Sequence, residues 1–459
     1  MSLSHRLLDL GFLAAETPRT PMHFSALMIF ETPSDPAGFV ARLRETWLDE
    51  VPLAPFDLVP VHDLQSGWLL PRLAAADRVD TAQHLHLATL GAGGGERALL
   101  ALAERLHVVC LDRRRPLWEV HLITGFGERR FAMLVKIHHA IFDGHGGLRL
   151  FVESLEDAPG ERLPAPFWAR PSAAGAGHGG LVGPLEAVGL LARSARGLAR
   201  NATVGARHVS RWLLGSDPVA PPAFSEPASI LNGPSSGRRR LAHLVLPLPE
   251  IERCAAGHGA SVNDVLLAAC GGALRRYLEA RNALPDRSLT ALVPCSLRDA
   301  AGRLPAGNRL TFMPMPLGTD IAEHAGRVAA VRAGASEAKT RLGELGDPGA
   351  MQYGMLINAM ATLPRLAHLP LPPITPANLV VTNLAGPRAP CHLGSAQMLE
   401  IYAHAPMSEG VGLNIALVSY AGEAFIGLTA DPSLVDDVDE LAGLLARTAS
   451  ALLDGPQPS

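Results

Sequence analysis

The stretch richest in chemistry is Ile137-His138-His139-Ala140-Ile141-Phe142-Asp143-Gly144. A neutral imidazole titrates near physiological pH, so it can take a proton from a hydroxyl and return it later in a cycle. Asp143 could fix that ring directly, or clamp the loop that carries it. Two other readings fit the same residues. Both histidines could be core residues with satisfied hydrogen bonds. Alternatively His138, His139, Asp143 and His145 could hold a metal ion. Paired histidine ligands at i, i+4 need a helix to share one face, however, and here a strand end and glycines intervene.

The elements that must position this stretch can be read outward from it. Phe131-Ala132-Met133-Leu134-Val135-Lys136-Ile137 is a mostly apolar run after a turn-like Gly125–Arg130, which predicts a buried strand. Gly144, Gly146 and Gly147, followed by Leu148-Arg149-Leu150-Phe151-Val152, predict a loop opening into a helix, with glycine letting the backbone bend sharply. Upstream, Pro116-Leu117-Trp118-Glu119-Val120 predicts a strand start, where proline is tolerated and Leu and Trp anchor. This strand and residues 130–138 predict a hairpin with the histidine pair at its tip. Trp118 is then either core or a substrate contact.

Composition narrows the class. Hydrophobic residues make up 48% and charged residues 18%, so the chain is globular rather than disordered, and its 459 residues can bury large cores. The mean hydropathy of +0.17 is high for a soluble protein and suits one that handles apolar material. A net charge of −4 gives no bulk attraction to nucleic acid. The five cysteines, Cys110, Cys254, Cys270, Cys295 and Cys391, are scattered and form no CxxC pair, which points to a reducing compartment. Neither a signal peptide nor a transmembrane run is expected, so the expected location is cytoplasmic.

The rest of the chain reads as alternating elements. Strands are predicted at 24–30, 241–246, 290–298, 378–387, 411–420 and 424–430. Helices are predicted at 36–49, 96–107, 182–214, from 260, at 320–343, 350–363 and 433–452. The 182–214 helix carries Arg193, Arg196, Arg200, Arg207 and Arg211 on one face, which fits crossover packing or attachment to an anionic lipid surface. Ser261 is a plausible N-cap, with Asp264 in the first turn. Three stretches follow: an N-terminal domain at 1–157, a linker and crossover at 158–239, and a C-terminal domain at 240–459.

The order of short motifs resembles the bacterial bifunctional wax ester synthase/diacylglycerol acyltransferases. His138–Gly144 matches their HHxxxDG motif, and Pro116-Leu117-Trp118 their PLW. Asn263-Asp264 resembles their second short motif, and Ser296-Leu297-Arg298 matches a further segment. Thr382-Asn383-Leu384-Ala385-Gly386-Pro387 resembles their TNxPGP segment, with Ala385 where proline is commoner. The resemblance implies an α/β (α+β) fold of two chloramphenicol acetyltransferase-like domains. Each would be a mixed sheet flanked by helices, with the active site in the channel between them. It implies acyl transfer from acyl-CoA to a long-chain alcohol or a diacylglycerol, with acyl-CoA as co-substrate and neither cofactor nor metal.

In that reading His139, four before Asp143, is the general base; His138 positions the loop or lines the tunnel. Asp143 holds the loop, and Gly144 gives close backbone approach. Thr382 and Asn383 are candidate oxyanion donors, or simply close a strand end. Trp118 and Asn263 are further candidate substrate-binding residues, each with a sufficient structural role. Arg113, Arg114 and Arg115 could meet a CoA phosphate or form a solvated face. Attachment to an inner membrane or lipid-inclusion surface remains open. So does a related transferase with another hydroxyl acceptor, or a non-catalytic lipid-binding relative.

Overall fold

A computed structural model describes residues 11–33, 35–61, 72–91, 94–142, 144–171, 184–214, 220–296, 310–366 and 374–454. Asp143, Leu297, Arg298 and Gly307–Arg309 lie outside the described residues.

Strand β1 (His23–Glu31) alternates strictly: Phe24, Ala26 and Met28 face one side, Leu27 and Ile29 the other. Helix α1 (Pro36–Leu48) starts at Asp35, whose carboxylate accepts the Gly38 N–H at 2.7 Å, and buries Phe39, Val40, Leu43 and Trp47. A small hairpin, β2 (Leu58–Val61) and β3 (Arg72–Ala75), leads to β4 (Leu85–Thr89) and α2 (Glu96–His107). Next come β5 (Trp118–Thr124) and β6 (Arg130–His138), paired antiparallel as expected. The histidine pair sits at the open end of this hairpin rather than at its tip. The turn lies at 125–129, and the His138 N–H donates to the Leu117 carbonyl at 3.0 Å, beside the start of β5. Because β6 runs away from the turn, its last residues lie at the far end.

After α3 (Gly144–Val152) comes α4 (Pro184–Leu213), then β7 (Asn232–Gly233), β8 (Arg240–Pro247) and α5 (Leu248–Gly257). Helix α6 (Val262–Glu279) opens with a full capping box between Ser261 and Asp264. Strands β9 (Thr290–Ser296) and β10 (Leu310–Pro316) precede α7 (His324–Leu366), which is broken at Gly346, where φ is +64°. That break divides the two helices read from the sequence. Val204 of α4 packs with Leu345, Ala350 and Met351 of α7, so one side of the basic helix is packed as a crossover while most of its other described side chains are exposed.

The remaining elements are β11 (Leu379–Ala385), β12 (His392–Leu393), β13 (Ala396–His404), β14 (Gly410–Val411), β15 (Leu413–Tyr420), β16 (Glu423–Ala430) and α8 (Val438–Leu453). Helix α8 begins five residues after Ser433, because Asp431 first holds the Ser433 N–H and Asp437 then caps the helix.

Two six-stranded mixed sheets result, in the orders β12-β13-β1-β6-β5-β4 and β10-β9-β11-β15-β16-β8. Sequence reading assigned no strand at 396–404. That segment is β13, which crosses from the second half of the chain to pair antiparallel with β1, Met28 opposite Ile401. Sheet membership therefore does not follow the divisions at 157 and 240. The two sheets meet where β13 lies over β16. A Cβ on Gly427 would come within 2.6 Å of the Ala403 carbonyl, so only glycine allows the backbones to approach so closely.

Each sheet has one face covered by helices. Leu27, Ile29 and Leu134 pack with Leu99 and Ala103 of α2. Leu413, Ile415 and Leu417 pack with α6 and α8. The opposite face of the first sheet packs partly on α1, with the rings of Phe131 and Phe39 5.3 Å apart, and otherwise borders the channel shared with the second sheet.

A buried ion pair ties the N-terminal segment to the second sheet. Asp431, with 1% of its side chain exposed, accepts from Arg239 Nη1 at 3.2 Å. It also accepts the Ser236 N–H at 2.8 Å and hydroxyls of Ser235, Ser236 and Ser433. Arg239 in turn donates to the Arg19 carbonyl at 3.0 Å. Asp431→Ala strands a buried guanidinium and is expected to cost about 3–5 kcal/mol. Thermal denaturation checks this: an unchanged midpoint would show the pair to be dispensable.

Candidate active site

The facing sides of the two sheets enclose a channel with about 1550 Å³ of free space, its open mouths included. From the first sheet come Phe24, Ala26, Met28, Val135 and Ile137, and from the second Leu292, Thr382, Ala416 and Val418. This is an apolar lumen with few polar points.

Of the histidine pair, only His139 borders the channel. The pleat explains the division. His138 is the last residue of β6, paired with His23 of β1, and is fully buried. One residue further, the His139 N–H still donates to the Met22 carbonyl at 2.9 Å. Its ring stacks on Phe12, centroids 4.1 Å apart, and meets the edge of Phe24 at 6.2 Å. Phe24 is held in turn by Gly147, where a Cβ would lie 2.4 Å from the phenyl ring. The channel walls surround the imidazole but leave it a face on the lumen. Burial, reinforced by His138, lowers the pKa of His139 to about 4, so the ring is a neutral base at pH 7.

His138 is held by contacts on both ring nitrogens. Its Nδ1 accepts the Ala140 N–H at 3.1 Å, which puts the ring proton on Nε2. Nε2 faces Glu16 Oε1 at 3.4 Å, longer than a well-formed hydrogen bond. Glu16 is the residue that sequence reading missed. Its side chain is 4% exposed, accepts the Met22 N–H at 3.1 Å and pairs with Arg113 at 3.0 Å. Burial alone would raise the Glu16 carboxyl. The His138 contact, the Met22 N–H and Arg113 outweigh it and hold the group at about 2. One carboxylate thus braces both His138 and the Met22 peptide that fixes His139.

The other candidates divide. Trp118 is not in the channel: it is fully buried, donates Nε1–H to the Phe56 carbonyl at 2.9 Å and stacks on Trp168 at 4.9 Å. It is a core residue, corrected from substrate contact. Thr382 and Asn383 both border the channel, but adjacent strand residues point to opposite faces. Thr382 shares its face with Val380 and Leu384. Asn383 falls on the helix side with Val381, beside Asn263 in a small cleft under α6. Asn263 is absent from the main channel lining. Gly144 opens α3.

The arginine triplet is engaged with protein carboxylates. Arg113 pairs with Glu16, and Arg114 and Arg115 both pair with Asp112. Among the described residues one metal-like group is gathered, His86, Glu119 and His121, away from the histidine pair. Its carboxylate already receives His121 Nε2 at 3.2 Å and the buried Lys136 ammonium at 3.4 Å.

A second histidine, His404, also borders the channel and was not singled out from the sequence. Both its nitrogens are taken: Nδ1 by Thr429 Oγ1 at 3.2 Å and Nε2 by His243 at 3.0 Å. It has no nitrogen left for a substrate proton.

Comparison with known proteins identifies the family. The model of the wax ester synthase/diacylglycerol acyltransferase catalytic domain covers residues 6–266, and that of the family's C-terminal domain covers 306–452. The chain is 34% identical over 458 residues to "Probable diacyglycerol O-acyltransferase tgs2" of Mycobacterium tuberculosis, covering 97% of each chain. The solved wax ester synthase/diacylglycerol acyltransferase from Marinobacter aquaeolei VT8 superposes with a TM-score of 0.74 at 27% identity, covering 97% of each chain. The first condensation domain of the CDA synthetase shares the fold, with a TM-score of 0.60 at 17% identity over 100% of this chain and 96% of that one. By both domain matches and by this identity over nearly its whole length, the chain belongs to the wax ester synthase/diacylglycerol acyltransferase family.

Proposed function

We propose that this chain transfers an acyl group from acyl-CoA to the hydroxyl of a diacylglycerol or long-chain alcohol, giving triacylglycerol or wax ester, with His139 as general base. The observation that carries this reading is the single accessible imidazole of the motif facing an apolar channel between the sheets. An apolar lumen suits acyl chains, and a neutral imidazole in it can accept a hydroxyl proton.

The step balances without a cofactor. The acceptor hydroxyl gives its proton to His139 as its oxygen bonds to the thioester carbonyl carbon. The tetrahedral oxyanion collapses, the C–S bond breaks, and His139 returns the proton to the departing sulfur. Thr382, on the channel face of β11, is the side chain best supported as an oxyanion donor. Glu16 and His138 hold the loop while His139 works.

Delivery of such apolar substrates favours a surface that meets lipid. No helix among the described residues is long and apolar enough to cross a membrane. The end of α4 exposes Val209, with the adjoining Leu213 and Leu214 70% and 80% exposed, next to Arg211. That combination supports shallow attachment to an anionic membrane or lipid-inclusion face.

Three measurements test the mechanism. His139→Ala is expected to lower kcat by about 10²–10⁴-fold with palmitoyl-CoA and hexadecanol, while far-ultraviolet circular dichroism stays native. Retained turnover would remove His139 from the reaction. A base works only when deprotonated, and burial lowers this one to about 4, so kcat/KM is expected to hold steady from pH 8 to pH 5 and fall below. A midpoint near 6.5 instead would place the working base in water. Glu16→Gln is expected to lower kcat roughly 10–100-fold through misplacement of the imidazole, with KM for acyl-CoA nearly unchanged. A change in KM alone would contradict the bracing role.

A further inference from the structure

The channel holds one polar side chain that neither the proposed reaction nor the packing of the fold uses. Asn414 lies on β15, where Leu413, Ile415 and Leu417 turn to the helices and Asn414, Ala416 and Val418 turn to the channel. It is 1% exposed, and neither its Oδ1 nor its Nδ2 meets a hydrogen-bond partner among the described residues. A buried amide with both ends unsatisfied is unfavourable, and a hydrophobic residue of similar size would suit an apolar lumen better. Asn378, the other asparagine buried among the described residues, is by contrast paired: it donates to the Pro227 carbonyl at 2.8 Å and accepts the Thr290 N–H at 2.9 Å.

Position says what the amide could meet. In the parallel pairing of β11 with β15, Thr382 lies opposite Ala416 and Val380 opposite Asn414. Asn414 is therefore two residues, roughly 7 Å, along the sheet from the level of Thr382. A long-chain alcohol carries only methylenes at that distance from its reacting hydroxyl. A diacylglycerol carries the carbonyl of an ester a few bonds away from its own. An amide N–H matches a carbonyl oxygen, and inside an apolar wall it meets few competitors.

We propose that Asn414 binds an ester carbonyl of the acceptor, and so selects glycerolipid hydroxyls over simple long-chain alcohols. This rests on the acyl-transfer reading above and names the acceptor class within it. A site built to hydrogen-bond a substrate group discriminates strongly against molecules that lack it.

The test uses the full chain with palmitoyl-CoA, and dioleoylglycerol or hexadecanol as acceptor, following free thiol release. Asn414→Val and Asn414→Thr have nearly the same shape and differ by a hydroxyl in place of a methyl. In the valine variant kcat/KM for dioleoylglycerol is expected to fall about tenfold or more, while that for hexadecanol stays within about threefold of the parent. The threonine variant is expected to recover part of the lost glycerolipid activity. Hexadecanol turnover doubles as the check that each variant folds. Equal loss with both acceptors, or identical behaviour of the valine and threonine variants, would overturn the role of Asn414. If the parent protein released no thiol with either acceptor, the acyl-transfer reading itself would fall, and this proposal with it.

Discussion

The bond from the His139 N–H to the Met22 carbonyl governs the site. At 2.9 Å it extends the pairing of β6 with β1 one residue beyond the sheet proper. Without it the chain would be free to turn after His138, and the second ring would have no fixed direction. With it, two neighbouring histidines are assigned opposite duties by the strand period alone. One is driven into the core and becomes a bracket; the other is turned to the lumen and can exchange protons. Glu16 secures the same peptide from the other side by accepting the Met22 N–H, so both polar ends of residue 22 are committed.

Polar groups near the channel separate into those spent on docking the sheets and those that face the lumen. His404 is held at both nitrogens, and Ser25 shares its hydroxyl with His107 at 2.8 Å. Such groups specify how the sheets dock and do little else. His139 keeps a face on the lumen, and Asn414 meets no hydrogen-bond partner there among the described residues. Chemistry and recognition in an apolar cavity depend on this second class, because a desolvated polar atom interacts strongly with whatever complements it.

Much of this was legible in the chain. Apolar runs bounded by turn residues marked β1, β6 and β15, and Ser261 with Asp264 marked the start of α6. The histidine motif located the one ring of the pair that borders the channel. What escaped had no local signature. Glu16 is an ordinary acidic residue in a short helical stretch, and its partners Arg113 and His138 are 97 and 122 residues away. Strand β13 mixes polar and apolar residues unevenly, in keeping with a strand that borders both sheets and whose register with β1 shifts between Ile29 and Phe30. For Trp118 the sequence left core and substrate contact both open, since a large aromatic in a motif suits either, and its burial decides for packing. Asn414 did leave a trace: a lone amide inside Leu413-Asn414-Ile415-Ala416-Leu417-Val418 is out of place for a core strand.

The crossing of β13 has a consequence for how the protein must be made. β1 sits between β6 and β13, so until residues 396–404 leave the ribosome one whole side of β1 has no partner. At typical synthesis rates of about 5–20 residues per second, that raw edge is exposed for many seconds. The nascent first half is then an open template for strands of other chains, and the cell must shield it until the late strand arrives.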